Sequence, residues 1–187
     1  MHKHVGNNMK KHIRTIIPIL IIAILLLNSF YFLPKESELY FKSDIRRFTK
    51  SIMPISVILT IAITFWRIFD RNEYNDKIWT KISHFLYVGM MCIIIYPLIS
   101  DFVLAVGLKL NRISSNESIN KNFIVTFKNR TDSENLVYGI ISNRKYDGPI
   151  DRLILNEKEF DLINKKQEIE LKMRNGLFGI PFNAMIK

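Results

Sequence analysis

The stretch Cys92–Arg112, CIIIYPLISDFVLAVGLKLNR, decides the architecture. It holds one carboxylate, Asp101, in an otherwise apolar run, so its reading turns on whether the chain is still inside a hydrocarbon layer there. Upstream, no Asp, Glu, Lys or Arg occurs back to Ile82. At 1.5 Å per residue Asp101 falls about 28 Å along a helix starting at Ile82, close to one hydrocarbon thickness. A carboxylate at the midplane is costly and reads as functional, whereas one at this depth reads as an interface marker. The third span is therefore expected at residues 82–100 or slightly longer. Pro97 should kink or end it, because it removes a backbone donor and crowds the carbonyl four residues back. Phe102–Leu108 would then run on along the interface.

Two earlier runs have the same character: Thr15–Leu33, TIIPILIIAILLLNSFYFL, and Ser51–Phe69, SIMPISVILTIAITFWRIF. Each is near the roughly 20 residues a membrane-crossing helix needs. The first exceeds the h-region of a signal peptide and lacks a small-x-small cleavage site, so it reads as a retained span. The predicted fold is an α-helical membrane domain of three transmembrane helices (15–110), preceded by a basic tail (1–14). A polar linker (111–121) and a small, mainly antiparallel β-module with one short helix (122–187) follow it.

Consecutive spans run antiparallel. Arg67, late in span two, therefore lies on the opposite membrane face from Asp101 and can snorkel to the headgroups. Asp101 shares its face with the loop PKESELYFKSDIRRFTK, whose Arg46, Arg47 and Lys50 are candidate partners. In that loop Phe41, Ile45, Phe48 and Ile52 recur at helical spacing. A short basic amphipathic helix on the membrane surface fits this pattern, and so do the first turns of span two. Ser56, Thr60 and Thr64 form a small, weakly polar stripe suited to close helix packing, or to lining a pore in an oligomer.

The net charge is +10. Residues 1–14 carry four Lys/Arg and no acid, while residues 109–187 mix fourteen Lys/Arg with ten Asp/Glu. Interspersed charge without a basic stripe argues against nucleic acid and for the lipid bilayer as partner. The acid-free start favours a cytoplasmic N-terminus in a multi-pass cell-membrane protein, with the C-terminal module outside the cytoplasm. The single Cys92 forms no intrachain disulfide, and the tail histidines His2, His4 and His12 lack a fourth ligand, so no metal or cofactor is expected.

In the C-terminal unit, NFIVTFK alternates Phe123, Val125 and Phe127. LVYGIIS (136–142), RLIL (152–155) and EIELKM (168–173) read as further strands. NEKEFDLIN (156–164) starts on Asn and fits one or two helical turns. Asn175-Gly176 predicts a two-residue hairpin turn before LFGIPFNAMI. Taken together, LNEKEFDLINKKQEIELKMRNGLFGIPF resembles the ends of bacterial inner-membrane proteins with two or three spans and a small β-module. Asn164-Lys-Lys-Gln here occupies a turn where glycine is more usual. That likeness implies the architecture and no activity, since those proteins are uncharacterised.

The unit has no histidine or cysteine. Asp151 and Glu157 suggest a carboxylate pair, but acids in turns beside lysines read first as a solvated surface. No nucleophile elbow, phosphate loop or zinc spacing occurs. The expectation is a non-enzymatic membrane protein whose module docks a protein partner or self-associates, as an accessory or self-protection protein. The alternative is a sensor that oligomerises on binding a small molecule such as a signalling nucleotide.

Overall fold

The computed structural model describes residues 16–69, 78–113, 117–131, 134–141 and 150–187, with the side chains of 66–69, 78–81 and 84 set aside. Three helices are long and apolar enough to cross a membrane, over Ile16–Ser37, Lys42–Phe65 and Phe85–Ile113. Helix α1 is Ile16–Ser37, with a π-helical turn at Asn28–Phe32. Helices α2, Lys42–Phe69, and α3, Ile78–Ile113, follow. The chain divides into two compact units, Met1–Pro34 with Met53–Ala105, and Lys35–Ile52 with Val106–Lys187.

Of the two outcomes expected at Pro97, a kink or an end, the end does not occur. The helix runs through Pro97 and past Asp101 to Ile113. A proline inside an apolar helix is tolerated where neighbouring groups re-satisfy the freed carbonyl. Asp101 is half-buried on the continuing helix, which runs on through Phe102–Leu108.

In the first unit, Ser56, Thr60 and Thr64 are buried. Thr60 Oγ1 donates to the Ser56 carbonyl and Thr64 Oγ1 to the Thr60 carbonyl, both at 2.7 Å. Their hydroxyls are thus held by their own helix, which leaves a narrow face for close packing. The Cys92 thiol of α3 reaches Thr64 Oγ1 at 3.5 Å.

The second unit is built on a five-stranded antiparallel sheet in the order β3-β2-β1-β4-β5. The strands are β1 Glu117–Arg130, β2 Asn135–Ile141, β3 Asp151–Leu155, β4 Glu168–Asn175 and β5 Pro181–Ile186. Strands β1–β3 are consecutive neighbours, and β4 returns to lie beside β1, which is a Greek key; β5 adds outside β4. The return carries helix α4, Glu157–Leu162, started by a capping box between Asn156 and Glu159. Its end is held by Lys128 Nζ, which donates to the carbonyls of Phe160 and Ile163 and lies 4.2 Å from the Phe160 ring centroid.

The inward face of all five strands meets in one core. Phe123 and Val125, Val137 and Ile141, Leu153 and Leu155, and Ile169, Leu171 and Met173 are buried together, with Ala184 and Ile186 packed against them. Each fully buried Val, Leu or Phe contributes about 1.5–3 kcal/mol.

Strand β1 begins at Glu117, within residues the composition predicts as linker. Ile119 pairs with Met173 and Lys121 with Leu171.

Candidate functional site

The sheet is open between its edge strands β3 and β5, and the chain before α2 bridges that seam. On one side Asn183, in β5, donates its backbone N–H to the Leu39 carbonyl at 2.8 Å. Asn183 has φ +56, a left-handed conformation that asparagine tolerates better than most residues. On the other side Ser43 binds the Asp151 carboxylate of β3 twice, through its N–H at 2.9 Å and its hydroxyl at 2.5 Å. Between them Phe41 enters the core and stacks on Phe123, with centroids 5.9 Å apart and planes at 9°.

These contacts settle one open reading and correct another. Phe41, Phe48 and Ile52 are buried, and of the two alternatives for this segment the structure has the first turns of span two, with Phe41 just before α2. Asp151 is 1% exposed and joins no solvated turn or carboxylate pair. A buried carboxylate is stable when charge-assisted hydrogen bonds replace its water, as those from Ser43 do.

The last turns of α3 are held by the β4–β5 turn. Asn111 is fully buried; its Nδ2 donates to the Ile180 carbonyl at 2.9 Å, and its Oδ1 accepts from Phe178 N–H at 2.8 Å. Its backbone carbonyl accepts from Leu177 N–H at 2.9 Å. A Cβ on Gly176 would lie 2.2 Å from Asn111 Nδ2, so only glycine admits this approach. The turn accordingly spans residues 176–180, with Gly176 N–H on the Ile180 carbonyl and positive φ at Gly179, rather than the predicted two-residue hairpin.

Tyr40 completes the junction, its hydroxyl donating to the Leu108 carbonyl at 2.6 Å. Burial pushes its phenol above the ordinary value, with a smaller opposing effect from Asn111. Gly107 leaves room for the Phe48 ring, which a Cβ would meet at 2.8 Å, and Phe48 packs on Phe178 at 5.6 Å. Arg112 makes a two-point ion pair with Glu36, at 3.0 and 3.1 Å.

The sheet's outward face has two characters. Across β1, β2 and β3 it presents rows Ile124–Ile140, Phe127–Tyr138–Arg152 and Leu136–Ile154, and the Phe127 and Tyr138 rings lie 6.0 Å apart. Phe127 is 49% and Ile154 45% exposed, whereas Leu136 and Ile140 in these rows are buried. On β4 the same face carries Glu168, Glu170, Lys172 and Arg174, opposite Ile124, Asn122, Asn120 and Ser118 of β1.

Of the residues singled out from sequence, Arg46 and Arg47 are exposed on the first turns of α2. Arg67 lies on α2, with its side chain outside those described. The Tyr146–Pro149 turn, with Asp147, lies outside the described residues, as does the N-terminal tail. Sequence reasoning missed Asn111, Tyr40, Ser43 and Asp151 as a group; their partners lie 68 to 108 residues away. Among the described residues no three His, Cys, Asp or Glu converge as a metal site. No family model, curated protein or solved structure matches the chain.

Proposed function

We propose that this is a non-enzymatic, multi-pass membrane protein whose C-terminal β-module docks a protein partner, in the manner of an accessory subunit or a self-protection protein. The observation that carries this reading is the exposure of Phe127 and Ile154 on the outward side of β1 and β3, beside a charged outward face on β4. An exposed apolar surface with a polar border is the usual signature of a protein contact. The seam edges are the less suitable place for strand addition, because the chain's own Leu39–Ser43 segment already binds there. We place the N-terminus in the cytoplasm and the module outside it, on the basic, acid-free start of the chain.

A photo-crosslinking residue placed at Phe127, and separately at Glu170, tests the docking reading in intact membranes. One protein adduct of defined mass at Phe127 and none at Glu170 is the expected result. Equal labelling at both positions, or none at either, refutes it. The side of the module is tested by fusing alkaline phosphatase and a fluorescent protein in turn after Lys187. Phosphatase activity without fluorescence is expected, and the converse reverses the orientation.

A second reading, a ligand sensor that oligomerises, is favoured by the hydrogen bonds joining the sheet to the starts and ends of the helices. Ligand-dependent growth in particle mass, with no adduct at Phe127, would put it first.

A further inference from the structure

Three cations from two distant parts of the chain line one recess in the second unit. Lys109 and Arg112 come from the last turns of α3 and Arg174 from β4; Leu39, Ile113 and Phe182 supply apolar wall. The recess has a volume of about 390 Å³. Arg112 is paired with Glu36, while no carboxylate among the described residues pairs with Lys109 or Arg174. Lys109 and Arg112 complement the negative end of the α3 dipole. Arg174 has no such role, so Lys109 and Arg174 leave positive charge at the recess that Glu36, paired with Arg112, does not neutralise. A neighbouring cavity of about 520 Å³ shares Arg174 and adds Lys172 and Glu117.

One wall of the recess continues as an apolar stripe. Val106, Leu110 and Ile113 recur at helical spacing on α3 and are exposed, Ile113 at 74%. The stripe ends in the recess at Ile113, so phosphate-binding chemistry and hydrocarbon-binding chemistry meet at one place. A soluble phosphate uses only the first of these, whereas a phospholipid uses both. The apolar α3 window Phe85–Ile113 would measure about 43 Å, beyond a hydrocarbon core of about 30 Å. Its end is therefore long enough to reach the headgroup layer.

We propose that Lys109, Arg112 and Arg174 bind the phosphate of an anionic phospholipid, with an acyl chain lying along Val106, Leu110 and Ile113. This site uses residues apart from the docking face of β1–β3, and either reading stands without the other.

The test is native mass spectrometry of the full chain released from bilayers of phosphatidylglycerol mixed with phosphatidylcholine. Selective retention of phosphatidylglycerol is expected. Lys109→Gln and Arg174→Gln should each weaken it about fivefold, and the pair about thirtyfold. Arg174→Lys should keep most of it, and Lys158→Gln on α4 should change nothing. Both cations are exposed, so the variants should fold, which hydrogen exchange across β4 checks directly. Equal retention by the double variant overturns the site. Displacement of the lipid by inorganic phosphate at equal charge overturns the lipid as its occupant and assigns the recess to soluble phosphates. Loss of retention in Leu110→Ser, with phosphate insensitivity, supports the proposed path of the chain.

Discussion

Strands β2 and β4 flank β1 on either side and share one core, yet they are written differently. NLVYGII on β2 is apolar almost without interruption, whereas EIELKMRN on β4 alternates strictly. Strict alternation describes a strand with one face in the core and one in water; a continuous run describes a strand with something apolar on both sides. Inward they are equivalent, with Val137 and Leu171 both fully buried. Outward, β4 ends in charges and in a turn that grips α3, while β2 carries the buried Leu136 and Ile140 with the half-buried Tyr138. The difference separates two surfaces of one small sheet: the β4–β5 turn fastens to the end of α3, and the outward side of β1–β3 leaves Phe127 and Ile154 exposed.

The largest effects should come from the faces the two strands share. Leu171→Ala should cost about 2–5 kcal/mol and Val137→Ala about 2 kcal/mol, read as cooperative unfolding of the module. If either is tolerated, the single shared core is wrong. Gly176→Ala should cost about 1–3 kcal/mol through collision with Asn111, and adding Asn111→Ala should recover part of it. Additivity of the two would break the β4 side of the comparison.

Tyr40→Phe should cost about 1 kcal/mol by leaving the Leu108 carbonyl without its donor. The pH dependence has a definite sign. The unfolded phenol ionises from about pH 10, while the folded one keeps its proton to higher pH. This stability is fully present below about pH 10 and declines as pH rises through the folded value. Melting curves from pH 8 to 11 should show the decline in the parent chain and less of it in Tyr40→Phe. The smallest stability effects belong outside: Phe127→Ser with Ile154→Ser should shift melting only slightly, yet abolish the partner adduct. Glu168→Ser with Glu170→Ser should change neither.

Most of the secondary structure was legible because it rests on local periodicity. β4 alternates, α4 has its Asn156–Glu159 cap, and the spans have length and composition. What was missed depends on remote partners. Residues 117–121 read as linker because Lys121 stands at an inward position where a strand pattern calls for an apolar residue. Asp151 read as a turn acid because its donor, Ser43, is 108 residues earlier. Asn175-Gly176 read as a tight hairpin because the glycine's purpose, room for Asn111, is invisible from the turn. At Pro97 the sequence left a kink and an end both open, because the local cost of the proline is the same for either.

The junction also constrains how the chain is threaded. Residues Leu39–Ser43 and Asn111 are bound by the same folded sheet, so they occupy the same aqueous compartment. Whatever crosses the bilayer between them must cross an even number of times. Helices α2 and α3 therefore form an obligatory out-and-back pair, and neither can traverse alone while the sheet is intact. A change that moved Leu39–Ser43 to the other compartment would have to carry the whole sheet with it or tear Asn111 from its turn.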